Sequence, residues 1–141
     1  ASLYQQSNNK DLHAYRFLWL RSFHDPICLR LTINNNGTGI LTVKSTDGAG
    51  GYDAGKLVND YEVLMTVEQV STFVEKIRQA KFWKMPERKM IIGLDGARWI
   101  LEGLKEGRYH IVDRWSPDGG KFREAVEYLL QFSRLDIEPI Y

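Results

Sequence analysis

The fold is decided by residues 27–45, ICLRLTINNNGTGILTVKS, in which two apolar runs flank a turn sequence. In the first run, residues 27–33, apolar and mixed side chains alternate with a period of two, which is typical of a β-strand with one buried face. The turn sequence Asn34–Gly37 contains only asparagine and glycine, which tolerate the positive φ angles of tight turns. Residues 40–45 then form the return strand, so the stretch predicts an antiparallel β-hairpin.

A further strand is predicted on each side of this hairpin. Upstream, residues 15–23 (YRFLWLRSF) alternate aromatic with other side chains. Pro26 ends that pattern, because proline lacks the amide hydrogen that a strand ladder needs. Downstream, residues 47–55 contain four glycines and form a loop. Residues 61–66 follow as the fourth strand, with the same period of two.

The period then changes to that of a helix. Thr66 and Gln69 have the spacing of a capping box, in which each side chain accepts a hydrogen bond from the other residue's backbone amide. Apolar residues recur at helical spacing after them, at Val70, Phe73, Val74 and Ile77. We expect this helix to end near Lys81 and the aromatic pair Phe82–Trp83 to close the core.

The last third of the chain predicts a second hairpin and a second helix. Residues 99–104 and 109–115 alternate around a short glycine-containing turn, and residues 121–133 carry apolar side chains at helical spacing. Strands with one apolar and one mixed face suit helices on a single side of the sheet. The sequence therefore predicts an α+β fold, in which a mainly antiparallel sheet of about six strands (order ββββαββα) packs two helices on one face.

Length and composition favour one compact domain. We expect it over residues 13–141, after a loose polar arm at residues 1–12. Hydrophobic residues make up 43% of the chain, which is enough for a core. The formal net charge of +1 does not favour a nucleic-acid partner, although the stretch after the first helix is mildly basic. No apolar run reaches the roughly 18–20 residues of a membrane span, so none is predicted.

The compartment stays open. The sequence starts at Ala1 rather than at a methionine, which is typical of a processed or trimmed terminus, so exported or periplasmic and cytoplasmic origins are both compatible with it. The single cysteine, Cys28, cannot form an internal disulfide and fits either compartment.

A glycine-rich motif at residues 50–57, GGYDAGKL, matches the phosphate-binding pattern G-x-x-x-x-G-K up to its last place. There Leu57 lacks the hydroxyl that would hold magnesium, and a strand is predicted to follow instead of a helix. We therefore predict no nucleotide and no other cofactor, and we keep this loop as a contact surface, because loops on a rigid scaffold often carry recognition.

We do not expect the histidine, cysteine and aspartate side chains to come together as a catalytic or metal-binding site. His24 and Cys28 would be about 13 Å apart in an extended segment, too far for a nucleophile and its base. His110 and Asp113 fall on opposite faces of their predicted strand. His24 and Asp25 together supply fewer ligands than a zinc site needs. No catalytic, cofactor-binding or metal residues are predicted.

Four residues are the predicted contacts of a protein partner. Tyr52 and Asp53 lie in the glycine-rich loop, and tyrosine offers a large apolar face and a hydroxyl at low entropic cost. Arg114 and Trp115 lie at a strand end and are of the types enriched at binding hot spots. As a structural alternative for the last pair, Trp115 would cap the core and Arg114 would pair with Glu102 across the hairpin.

These observations favour a non-enzymatic partner-binding protein, for instance a bacterial immunity- or inhibitor-type protein or an adaptor. The alternative is a small hydrolase or ligand-binding domain that uses His24, His110 or Asp113. The two hypotheses differ in geometry, because an enzyme requires these side chains to converge in a cleft, whereas a binding protein requires an exposed apolar or aromatic surface.

Overall fold

The computed structural model describes residues 2–48, 55–88, 96–138 and 140–141. Its centre is a six-stranded sheet, antiparallel at every pairing, with the strand order β4-β3-β2-β1-β5-β6. The strands are β1 (Ala14–Arg21), β2 (Ile27–Ile33), β3 (Gly39–Thr46), β4 (Leu57–Met65), β5 (Ala97–Lys105) and β6 (Arg108–Trp115). The helices are α1 (Val67–Gln79) and α2 (Lys121–Leu130), with short 3-10 helices at Leu3–Gln6, Phe82–Lys84 and Gln131–Ser133. The predicted α+β class and element order are confirmed.

The core lies between the two helices and one face of the sheet, here called the inner face. Tyr15, Phe17 and Trp19 alternate along β1 and are all buried on that face. Trp19 pairs with Trp99 of β5, and the two rings are 5.6 Å apart at their centroids in an edge-to-face arrangement. Phe23 does not continue this row, because β1 ends at Arg21, and its side chain is 67% exposed. The predicted end of this strand was therefore two residues too far along the chain.

Local sequence signals set the ends of α1. Both hydrogen bonds of the predicted capping box are present: the Thr66 amide donates to Gln69 Oε1 over 2.9 Å, and the Gln69 amide donates to Thr66 Oγ1 over 3.2 Å. The helix ends at Gln79, two residues before the predicted end, and Phe82 then enters the core with no exposed surface. No helix in the described ranges has the length and apolar composition needed to cross a membrane.

The N-terminal segment, expected to be a loose arm, makes specific contacts with the other face of the sheet, here called the outer face. Leu3 is fully buried there in a small cluster with Ala14 and Leu104. Ser2 Oγ donates to the Glu102 carboxylate over 2.7 Å. The 3-10 helix at residues 3–6 therefore covers one end of the outer face.

Candidate binding edge and adjacent cleft

The two edges of the sheet differ. At β6 the chain covers its own edge: the Asp113 amide donates to the Glu87 carbonyl over 2.7 Å, and Arg88 forms a parallel bridge with Asp113. The Arg114 guanidinium fastens the same segment by donating to the carbonyls of Pro86 at 2.6 Å and Glu87 at 3.2 Å. The β6 edge is therefore partly capped by residues 86–88.

The other edge, β4, is open. It is nine residues long and pairs with β3 on one side only. In the part of the chain that the structure describes, no segment pairs with its second side. The strand starts four residues before its predicted position, at Leu57, and a β-bulge places Val58 as an extra residue opposite the Ser45–Thr46 step.

Exposed apolar side chains lie at both ends of this edge. Four of the six large apolar side chains that are exposed among the described residues are here called together the edge patch: Leu57 and Val58 at the start of β4, and Leu64 and Val67 at and just after its end. Leu64 is 79% exposed, because its register opposite Ile40 directs it to the outer face. Exposed apolar residues beside an unpaired strand edge favour pairing with another chain.

The same edge carries unpaired negative charge. Asp60 and Glu62 lie on the outer face of β4 in line with Leu64, and both are exposed. Within the described ranges neither carboxylate forms an ion pair, although Lys44 lies across from Asp60 in β3. The nine residues of β4 include these two acids and no basic residue. The edge is therefore both apolar and acidic.

A cleft of about 410 Å³ lies beside the start of β4, at the end of the sheet where β1 turns into β2. Ser45 near the end of β3 and Asn59 near the start of β4 form one wall, and the segment after α2 forms another. Its lining is mixed in charge and polarity: Arg21, Phe23, His24, Asp25, Ile27, Ser45, Asn59, Leu135, Asp136 and Glu138.

Arg21 is the most unusual group in this cleft. It is only 3% exposed and its guanidinium carbon lies 4.2 Å from the centroid of the Trp19 ring. Its hydrogen bonds to the carbonyls of Asp25 and Ile137 are long, 3.3 and 3.4 Å, and its Nε has no acceptor among the described residues. Burial lowers the pKa of Arg21, and negative charge at Tyr141, Asp25 and Asp136 acts against that shift. Among the described residues, no carboxylate lies within ion-pair distance of this cation.

The histidines and the carboxylate of the enzyme hypothesis do not converge. His24 follows the end of β1, where its Nδ1 lies 2.6 Å from the Tyr141 hydroxyl. His110 lies across the sheet from Tyr15, near the start of β1, because both residues pair with Gly103. Tyr15 and the last residue of β1, Arg21, are six residues apart, which corresponds to about 20 Å along the strand at 3.3 Å per residue. The His110 Nε2 lies 2.9 Å from the Met85 carbonyl oxygen, on the inner face.

Asp113 lies on the opposite face from His110, as predicted, and its carboxylate is 2.6 Å from Arg98. In the described part of the chain, no group of three or more histidine, cysteine, aspartate or glutamate side chains is placed to hold a metal ion. Cys28 is half-buried on the outer face of β2.

The predicted partner contacts are separated. Arg114 points to the inner face, is 7% exposed and donates to backbone carbonyls. The expected Arg114–Glu102 pair is wrong, because Glu102 lies on the outer face and pairs with Arg16 at 2.9 Å. Trp115 does not cap the core either, since it sits half-buried on the outer face opposite Arg98.

Tyr52 and Asp53 lie outside the described residues, together with most of the glycine-rich motif. The open edge at β4 was not predicted from the sequence, although the sequence contains one indication of it. In residues 57–65, LVNDYEVLM, the inward phase contains Tyr61, Val63 and Met65, whereas Leu64 is an apolar residue that follows two acids in the outward phase.

A search of protein-family models and of curated proteins found no match to this sequence.

Proposed function

We propose that this chain is a non-enzymatic binding protein that recognises a protein partner at the β4 edge by accepting a strand of the partner into its sheet. The observation that carries the proposal is the contrast between the edges: residues 86–88 cap β6, whereas β4 presents an open strand with the edge patch beside it. Open edges template pairing with other chains, and proteins usually block those they do not use.

Strand addition fits the chemistry of this edge. Every second residue of an edge strand directs its N–H and C=O away from the sheet, and these groups give affinity, while pockets for alternate side chains give selectivity. β4 pairs with β3 over most of its length, which holds the strand in place. On the inner face, the Tyr61 hydroxyl also donates a hydrogen bond to the Ser133 carbonyl. A strand that is already ordered loses little entropy when a partner binds.

The finer class, an immunity- or inhibitor-type protein or an adaptor, stays a prediction, as do the contacts at Tyr52 and Asp53. These two residues precede β4 in the chain and lie outside the described residues. Arg114 and Trp115 belong to the opposite edge, and the carbonyl contacts of Arg114 favour a structural role for it.

The alternative, a ligand-binding domain, has the cleft in its favour. Its volume of about 410 Å³ falls within the usual range for small-ligand sites, roughly 300–1,000 Å³. Its mixed lining, with one buried cation and several acids, is less typical of such sites, which are mostly apolar with a few directed polar groups. We therefore place the partner at the edge and treat the cleft as the competing location.

Two matched variants separate these locations. Leu64→Lys alters the edge patch and Phe23→Lys alters the cleft, and both replace an exposed apolar side chain, 79% and 67% exposed respectively. Proteins captured from native lysate by the unmodified chain are identified by mass spectrometry, and the affinity of the recovered protein for each variant is measured by calorimetry. Thermal unfolding confirms that both variants are folded.

We expect Leu64→Lys to weaken the complex at least tenfold, about 1.4 kcal/mol, and Phe23→Lys to leave it unchanged. The reverse result would move the partner to the cleft. Undiminished binding by Leu64→Lys would refute recognition at the β4 edge.

A further inference from the structure

The charges on β4 indicate what kind of strand the edge accepts. We propose that the partner segment is an extended basic strand, with lysine or arginine opposite Asp60 and Glu62 and an apolar residue near Leu64. This inference rests on the proposed function, since it specifies the partner of the same edge.

The first argument is the alignment of the three side chains. Asp60, Glu62 and Leu64 occupy successive outer-face positions of β4, so a strand added antiparallel beside it would present its own alternate side chains to them at about 4.5–5.5 Å between Cβ atoms. Opposite charges at such positions stabilise pairing and like charges oppose it. An incoming strand with basic residues at alternate positions therefore satisfies both acids at once.

The second argument is that the acids are not already neutralised. On the β3 side, Glu62 lies opposite Thr42 and only Asp60 has a cation, Lys44, across from it. Neither carboxylate is within ion-pair distance of a basic group in the described ranges. The outer row of β4 thus has a surplus of negative charge, in a chain whose formal net charge is +1.

The third argument weighs against the simplest other occupant, a second copy of this chain paired near the middle of β4. Residue 61 is the midpoint of β4, so an antiparallel pair of β4 strands with full overlap would place Asp60 of each copy opposite Glu62 of the other. Centring the pair on Asp60 or Glu62 instead places that acid opposite its own counterpart. Each of these registers sets like charges against each other, which destabilises strand pairing.

The test uses two synthetic peptides on the intact, ¹⁵N-labelled protein. Both are six-residue peptides with blocked ends, one alternating valine with lysine and the other valine with glutamate. Titrations are followed by the amide resonances of residues 57–65, with those of β6 as the internal comparison. We expect the lysine peptide to shift the β4 resonances with an affinity at least about fivefold higher than that of the glutamate peptide, and added salt to reduce the difference.

Reversing the two charges on β4 is the decisive experiment. The double variant Asp60→Lys, Glu62→Lys should reverse the preference in favour of the glutamate peptide. The control Asp118→Lys changes an exposed acid in the β6–α2 loop and should preserve the preference for lysine. Sedimentation of the unmodified protein should show a monomer.

Three outcomes would overturn the inference: equal affinity for the two peptides, no shift of the β4 resonances with either, or a dimer that Leu64→Lys dissociates. The proposed function is judged separately, by the loss of the captured protein in Leu64→Lys. If Leu64→Lys loses the captured protein but the unmodified protein shows no preference for the basic peptide, the proposed function stands. Only the proposal that the partner strand is basic is then refuted.

Discussion

Glu102 is the residue whose chemistry depends most on its surroundings. It is 2% exposed on the outer face, yet its carboxylate accepts hydrogen bonds from Arg16 at 2.9 Å, Ser2 at 2.7 Å and Tyr109 at 2.7 Å. Burial acts to raise the pKa of Glu102, but the three hydrogen bonds and the charge of Arg16 outweigh it, so the pKa lies below its ordinary value of 4.5. The ionised form is therefore the one that stabilises the fold.

We predict a pH-dependent effect of Glu102→Gln. A carboxylate whose pKa is lower in the folded state contributes stability above the unfolded pKa, and that contribution is lost as the pH falls through the folded pKa. At pH 7 the variant should lose about 1–3 kcal/mol of unfolding free energy, the usual cost of disrupting hydrogen bonds to a buried charged group. The difference from the unmodified protein should shrink below the ordinary glutamate pKa of 4.5.

Urea unfolding at pH 7 and at low pH measures this difference. The control is Glu106→Gln, at the exposed turn between β5 and β6, which should change stability little at either pH. A loss in Glu102→Gln that is the same at both pH values would show that packing, and not the ionised carboxylate, is responsible.

At the scale of elements, the contact between β5 and the 3-10 helix at Phe82–Lys84 requires a residue without a side chain, Gly103. Phe82 and Trp83 pack directly over Gly103, and a methyl group there would lie 2.8 Å from a ring carbon of Phe82 and 3.2 Å from Trp83. Because the Phe82 ring is fully buried, it has little freedom to move away. The predicted aromatic closure of the core thus requires a glycine on the facing strand.

We predict that Gly103→Ala destabilises the protein by about 1–3 kcal/mol, the usual cost of overpacking a core. The matched control is Gly119→Ala, where an added methyl group would meet no atom of the described residues within 4 Å and should change stability by less than about 0.5 kcal/mol. Both values come from urea unfolding with the slope held common. Equal stability of the two variants would mean that the ring moves aside at no cost.

At the scale of the whole molecule, Tyr141 connects segments that are far apart in the sequence. The main-chain oxygen of Tyr141 accepts hydrogen bonds from the indole N–H groups of Trp19 and Trp99, both at 2.9 Å and from neighbouring strands. Its hydroxyl contacts His24 Nδ1 and accepts from the Phe23 amide at 3.3 Å. Residues more than 40 positions apart are therefore joined at one point of the inner face.

We predict that removing Ile140 and Tyr141 lowers the free energy of unfolding by at least about 2 kcal/mol, because two buried indole N–H groups lose their acceptor. Tyr141→Phe keeps the main-chain oxygen and loses only the hydroxyl, so it should cost about 1 kcal/mol. Thermal unfolding gives the stabilities, and tryptophan emission should change in the truncated chain alone. Unaltered emission after truncation would count against this role of Tyr141.

The sequence by itself determined the elements and their order. The alternation in residues 27–33, the turn at Asn34–Gly37 and the capping box at Thr66 and Gln69 all act between residues close in the chain, so they are readable without a partner segment. The opposite orientations of His110 and Asp113 also followed from the period of two alone. These local rules were enough to predict the α+β class and the single helix-covered face.

Only the tertiary structure decided which phase of a strand is buried and which strand forms an edge. The alternation in β6 was correct, but nothing in it shows that Val112 and Arg114 face the core while Trp115 faces outward, so the expected pair of Arg114 with Glu102 was wrong. Phase and edge position depend on which strands lie side by side, and a period of two fits either face equally well. The open β4 edge, on which the proposed function rests, exists only because β5 and β6 add to the sheet beside β1 and not beside β4.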